Sequence, residues 1–172
     1  MRDCLVRGSK LIVLVSDTSV LIDLERGGLL EGAFSCGLTM VVPDLLYKRE
    51  LEDHNGPYLR ALGLGVVALT AEEMVCAQSI KSQKKSLSLP DCFALTRALR
   101  PNHYLVSGDK ALRNEADAQA APVYGLLWLL DRMEECGVAV HSLRTGLEII
   151  FGHERCRLPK DEVRARLLKW SI

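Results

Sequence analysis

Leu11-Ile12-Val13-Leu14-Val15-Ser16-Asp17-Thr18-Ser19-Val20-Leu21-Ile22-Asp23-Leu24 is the stretch that decides the fold class. A short aliphatic run, Leu11–Ser16, closed by an acid reads as a strand buried on both faces, and Thr18–Arg26 reads as the helix after it. The succession recurs. Thr39–Val42, Val66–Leu69 and Tyr104–Ser107 read as strands, each followed by a helix-length segment, and a short strand is expected at Val123. Further helices are expected at about Asp44–Asp53, Ala71–Lys85, Pro90–Leu99, Lys110–Ala118 and Gly125–Cys136. Strands that alternate with helices imply parallel pairing through helical crossovers. The expected class is therefore α/β, with a central, mostly parallel sheet flanked by helices.

Beyond Gly137 the pattern turns wholly helical. Leu143, Leu147, Ile150 and Phe151 share one face, Gly152 interrupts it, and Leu158–Trp170 sets Val163, Leu167 and Trp170 on one stripe. These read as appended C-terminal helices, and the stripe either as part of a surface for a homodimer or a protein partner or as packing on the chain's own sheet. No linker or repeat divides the 172 residues. One domain is expected over 1–172, with a core at about 11–136 and a helical extension at about 137–172.

The chain is 48% hydrophobic and 26% charged, so it can build a core without staples. Its six cysteines stand singly, with no Cys-x-x-Cys, and read as buried thiols rather than a disulfide framework. Arg2, Arg7 and Lys10 precede the first apolar run, but Asp17 ends it too early for a signal-peptide core, and no run is long enough for a membrane span. A cytoplasmic protein without membrane contact is expected. Net charge is zero, yet Asp17 to Glu72 is acidic and Lys81 to Arg113 is basic. In the basic half, Lys81-Ser82-Gln83-Lys84-Lys85-Ser86 can complement a helix dipole, bind phosphate, or do both.

Four carboxylates need explanation. Asp17 follows the first strand and Asp109, in Ser107-Gly108-Asp109, follows the last clear one. Each alone reads as a helix N-cap, but ligand sites in open parallel sheets form beyond the carboxyl ends of the strands, where both acids fall. Asp91 is spaced onto the face of Ala94, Leu95, Ala98 and Leu99 and is expected to turn inward, where a carboxylate needs a cation, a hydrogen-bond network or a proton. Glu50 lies angularly between Leu46 and Tyr47, with Asp53 a possible substitute, and Arg49 or Arg97 could pair with these acids in a purely structural role. Acids converging at the strand ends would suit Mg²⁺ or Mn²⁺. No His and Cys set has zinc spacing.

Four segments together resemble a known family. They are Val15-Ser16-Asp17-Thr18-Ser19-Val20-Leu21-Ile22-Asp23-Leu24; Val42-Pro43 leading to Lys48-Arg49-Glu50-Leu51; Leu87-Ser88-Leu89-Pro90-Asp91-Cys92-Phe93-Ala94-Leu95; and Leu105-Val106-Ser107-Gly108-Asp109. In order and spacing they resemble the motifs of PIN domains, over roughly Leu11 to Cys136. The resemblance implies an α/β metal-dependent nuclease in which Asp17, Glu50, Asp91 and Asp109 bind Mg²⁺ or Mn²⁺ and activate water to cleave RNA. Ser19 would support the site. Ser107 stands where the family usually has Thr, keeping the hydroxyl, and Pro90 abuts Asp91. Many bacterial and archaeal members are VapC-type toxins, which implies an antitoxin partner.

An acidic site repels RNA unless cations hold the strand, and Lys81, Lys84, Lys85 and Arg113 are the expected contacts. A catalytically inactive PIN-like module that binds RNA or protein is the alternative, favoured by the neutral charge and opposed by the retained acids. A haloacid-dehalogenase-like phosphatase would need a second Asp where Thr18-Ser19 stands, and neither a phosphate-binding Gly-rich loop nor a nucleophile elbow is present.

Overall fold

The computed structural model describes residues 11–15 and 18–171. In chain order the elements are β1 (Ile12–Val15), α1 (Thr18–Arg26), α2 (Leu30–Ser35), β2 (Thr39–Pro43), α3 (Asp44–Leu46, continued as a π turn over Tyr47–Leu51), α4 (Gly56–Leu62) and β3 (Gly65–Val67). There follow α5 (Ala71–Gln83), α6 (Leu89–Ala98), β4 (His103–Val106), α7 (Lys110–Ala118), β5 (Val123–Tyr124), α8 (Leu126–Glu135), α9 (Val140–Phe151) and α10 (Lys160–Lys169).

The five strands form one parallel sheet in the order β3-β2-β1-β4-β5, so the α/β expectation holds. β1 is central, with Val13 beside Met40 of β2 and Tyr104 of β4. Successive strand residues point to opposite faces, and each face is covered. Met40, Val42 and Val106 join one core with α1, α2, α8, α9 and α10. Val41 and Leu105 join the other with α5, α6 and α7. The result is a helix–sheet–helix sandwich.

Thr70 caps α5, accepting from the Glu73 N–H at 3.2 Å, while the Glu73 carboxylate accepts from the Thr70 N–H at 2.8 Å. That carboxylate also binds Arg97 at 3.2 Å and Arg100, joining α5 to α6. Burial alone pushes Glu73 up, but the Thr70 N–H, the Arg100 hydrogen bond and the charges of Arg97 and Arg100 outweigh it and hold the acid below its ordinary value. A lowered folded pKa contributes stability above the unfolded value, about 4.3, that is lost as pH falls through the folded one. Melting temperature should therefore fall below about pH 4. In Glu73→Gln, which costs about 1–3 kcal/mol at neutral pH by leaving two arginines unpaired, that acid limb should flatten. An unchanged limb in a pH series of melts would refute the assignment.

Two short helices, α2 and α4, have no counterpart in the periodicity. Leu30 and Ala33 dock α2, and Leu59 docks α4, but six and seven residues carry too few turns for a pattern. The helix expected over Asp44–Asp53 is replaced by α3 and its π turn, closed by the Glu52 N–H on the Tyr47 carbonyl at 2.8 Å. The wider turn buries Tyr47 and Leu51 together and leaves Lys48, Arg49 and Glu50 exposed.

Of the two readings of the C-terminal stripe, packing within the chain is the one the fold takes, and these three side chains are not an exposed interface. Val163 is fully buried, Trp170 is 3% exposed, and Leu167 packs on the same core. Arg166 grips Asp131 of α8 through two bonds, at 2.8 and 2.6 Å, and Lys169 bonds Glu134 at 2.6 Å. The Lys169 bond, aided by the nearby Trp170 indole N–H although that contact falls outside hydrogen-bond geometry, holds Glu134 below its ordinary value. On the same face α9 packs on α1 and comes into close backbone approach with the turn that follows it. A Cβ on Gly146 would lie 2.6 Å from Leu29 Cδ1 and 2.8 Å from the Gly27 carbonyl, so only glycine fits there.

Candidate active site

From β1 the chain winds outward to β2 and β3, then returns across the sheet to β4 on the other side of β1. The crevice beyond the carboxyl ends of β1 and β4 is thus a topological switch point, where open α/β sheets bind ligands. Asp17 follows β1 by two residues and, with Ser16, lies outside the described residues. Asp109 follows β4 by three. It is exposed and caps α7, its Oδ1 accepting from the Leu112 N–H at 2.8 Å. Its backbone is fixed from below: fully buried Ser107 accepts the Asp109 N–H on Oγ at 3.1 Å, and Arg113 donates to the Ser107 carbonyl at 3.2 Å. Among the described residues, Asp109 Oδ2 has no partner.

Glu50 reaches the same edge from the π turn. Its Oε2 accepts from the Thr18 hydroxyl at 2.7 Å, and Thr18 is the first residue of α1. The expected inward placement of Glu50 gives way to an exposed one, because the π turn devotes its inner side to Tyr47 and Leu51. Asp53 is exposed in the following turn.

Asp91 also differs from expectation. Ala94, Leu95 and Ala98 are buried as read, but Leu99 is 42% exposed and Asp91 is half-buried. At the third position of α6 it closes a capping box: its Oδ2 accepts from the Ser88 N–H at 3.2 Å and hydroxyl at 2.7 Å, and the Asp91 N–H bonds Ser88 Oγ at 3.1 Å. A first-turn acid bends back toward the orphan amides instead of following the helix face inward. Pro90 sits in that first turn, where no N–H is required. Arg97 pairs with Glu73, not Asp91.

Among the described residues no three His, Cys, Asp or Glu side chains come together to hold a metal, so a complete cluster is not formed without residues outside them. The donors at this edge are nonetheless carboxylate and hydroxyl oxygens, and among the described residues Glu50 Oε1 and Asp109 Oδ2 are unengaged. That chemistry fits a hard divalent ion such as Mg²⁺ or Mn²⁺ and not zinc.

Beside Asp109 opens a cleft of about 1110 Å³. Its walls come from α1, including Ser19, from the start of α7, from β5 and α8, and from the loop between α9 and α10. Tyr124 and Trp128, stacked at 4.5 Å, stiffen one side, and Arg132 lies 5.4 Å from the Trp128 ring.

A family model described as a PIN domain matches residues 13–171. The chain belongs to the PIN-domain family. PIN domains are generally nucleases and typically use divalent metal ions, so this is a nuclease-type domain. No curated protein matches the chain. The family match runs past Cys136 through α9 and α10, so the extension belongs to the matched unit.

In this PIN domain two of the lysines expected to meet RNA are engaged internally. Lys81 Nζ donates to the Leu87 carbonyl at 2.6 Å and the Lys85 carbonyl at 3.1 Å, bracing the turn that presents Ser88 and Asp91. Lys84 pairs with Glu115 of α7 at 3.4 Å. Glu115 is held below its ordinary value by Gln119 first and Lys84 second, against some burial. Lys85 is exposed, and among the described residues its ammonium has no partner. Thr18, Lys110, Arg155 and Arg157 also stand at the site or its cleft, though the sequence pattern did not single them out. Thr18 had a signal, a hydroxyl adjoining Asp17. Arg155 and Arg157 had none, because only the folded chain brings them near Asp109.

No helix among the described residues is long and apolar enough to cross a membrane.

Proposed function

We propose that this PIN domain is a Mg²⁺- or Mn²⁺-dependent endoribonuclease of the toxin type, acting in the cytoplasm. The observation that carries the reading is Asp109, exposed beyond β4 at the switch point of the sheet and fixed by Ser107 and α7. Asp17, Glu50, Asp91 and Asp109 would hold the ion, which supplies Lewis acidity toward a phosphate oxygen and activation of water.

The chain's own residues keep that edge in shape. The Leu112 amide takes one oxygen of Asp109 and leaves the other outward. Thr18 steadies Glu50 against the start of α1, and Ser88 orients the Asp91 carboxylate. Arg113, anchored on the Ser107 carbonyl, puts positive charge beside the acids, where an RNA phosphate would otherwise be repelled. Lys85 is a second candidate contact. An antitoxin protein and self-association as a homodimer belong to the same reading, and any dimer surface lies away from the α10 stripe.

The test is cleavage of labelled single-stranded RNA by the purified full chain. Mn²⁺ or Mg²⁺ should support turnover, and excess chelator should reduce it at least 10²-fold and reversibly. Cleavage undiminished by chelator would overturn the reading. Metal-independent RNA binding with no cleavage under any divalent ion would instead establish the inactive binding module.

A further inference from the structure

We infer that the cleft between Asp109 and the α9–α10 loop is the groove for single-stranded RNA, with Arg155 and Arg157 holding the backbone together with Lys110 and Arg113. The inference rests on the nuclease reading and deepens it by naming the path of the substrate.

Charge balance is the first observation. Of the cations lining the cleft, Arg26 is committed to Asp23 at 2.8 Å and Arg166 to Asp131 and Glu162. Among the described residues, Lys110, Arg155 and Arg157 have no acidic partner, and Arg113 donates only to a carbonyl. Among the described residues, the lining acids without a cation are Asp109 and Asp117. The cleft is therefore locally positive in a chain of zero net charge, and its positive wall adjoins the acidic edge.

The loop is the second observation. Cys156 and Leu158 pack against the core while Arg155 and Arg157 are exposed and line the cleft. The alternation anchors the loop by every second residue and turns both guanidinium groups to the open side. Cys156 N–H on the His153 carbonyl, at 3.0 Å, and the Arg155 N–H on His153 Nδ1, at 3.2 Å, tighten the turn before it. Guanidinium forks suit phosphate oxygens, and a fixed loop loses little freedom on binding.

Size is the third. Small-molecule sites occupy about 300–1,000 Å³, and this open cleft of about 1110 Å³ stands at the top of that range, with room for a strand segment. Cationic grooves with aromatic walls track single strands through their backbones. Here the strand would leave the Asp109 edge toward the C-terminal helices, away from the α5 lysines.

The experiment uses the full chain and a fluorescent single-stranded RNA oligonucleotide in chelator, with anisotropy read over a salt series. Arg155→Gln/Arg157→Gln should weaken binding about tenfold or more and reduce the slope of log K against log salt by about 1.4, at roughly 0.7 per lost phosphate contact. Both side chains are exposed, so melting should be unchanged and should certify the fold. Unchanged affinity and slope would overturn the groove, as would wild-type protein that binds no RNA at low salt. A loss that follows Lys84→Gln/Lys85→Gln instead would overturn it by routing the strand over α5. Mn²⁺-dependent cleavage is scored separately. Cleavage with binding indifferent to the arginine pair rejects the groove alone, and arginine-dependent binding without cleavage rejects the nuclease reading alone.

Discussion

Asp109→Asn should lower RNA cleavage at least 10²-fold while leaving the melting temperature nearly unchanged. The two effects separate because Asp109 does two things. It caps α7 through Oδ1, and asparagine caps about as well as aspartate, so stability should move by no more than about 0.5 kcal/mol. Its charge, by contrast, is what an ion at the switch point needs, and removing a preorganised electrostatic partner commonly costs 10²- to 10³-fold in rate. Asp109→Ala would confuse the matter, since losing the cap costs about 1 kcal/mol as well. Measuring single-turnover cleavage and thermal melting on the same preparations decides it. Equal cleavage by wild type and a folded Asp109→Asn variant would remove Asp109 from the chemistry and leave it a cap.

Trp170→Ala should be the most damaging single truncation for stability in the C-terminal helix, at about 3–5 kcal/mol. The indole is 3% exposed and sits in the core shared by α1, α8 and α9, and total stability of such a domain is about 5–15 kcal/mol. Leu168, two residues earlier and 76% exposed, is the control: Leu168→Ala should stay within about 0.5 kcal/mol. Denaturant unfolding of both variants is the measurement. If Trp170 instead served an interface, its loss would change oligomeric state and make the midpoint depend on protein concentration. That outcome would reinstate the docking role that the fold assigns to internal packing.

The sheet was legible because fully buried strands are short continuous apolar runs, and Thr18–Arg26 and Lys110–Ala118 carry clean helical periods. Periodicity failed where a tertiary or local polar contact overrode it. The π turn at Tyr47–Leu51 breaks the 100° rule on which the orientation of Glu50 rested. Asp91 matched an inward face on a helical wheel, but the wheel knows nothing of helix ends, and Ser88-Leu89-Pro90-Asp91 is a capping box readable from its spacing. Lys81 and Lys84 read as open to phosphate because neither the turn that carries the Leu87 carbonyl back to Lys81 nor the approach of Glu115 to Lys84 shows in local spacing. Arg155 and Arg157 reach the cleft only through the docking of α9 and α10, a relation no local pattern encodes.

The core shared by α1 and the C-terminal helices also has a consequence for biosynthesis. Val20 and Leu24 leave the ribosome well before Val163 and Trp170, which close the same core from the last of the described helices and the residue after it. Central β1 likewise waits for β4. The nascent polypeptide therefore carries an open apolar face between those two points, and the packing of this core waits on the C-terminal helices. For a chain proposed to cut RNA, the wall of the cleft that carries Arg155 and Arg157 is likewise among the last of the described parts to be made.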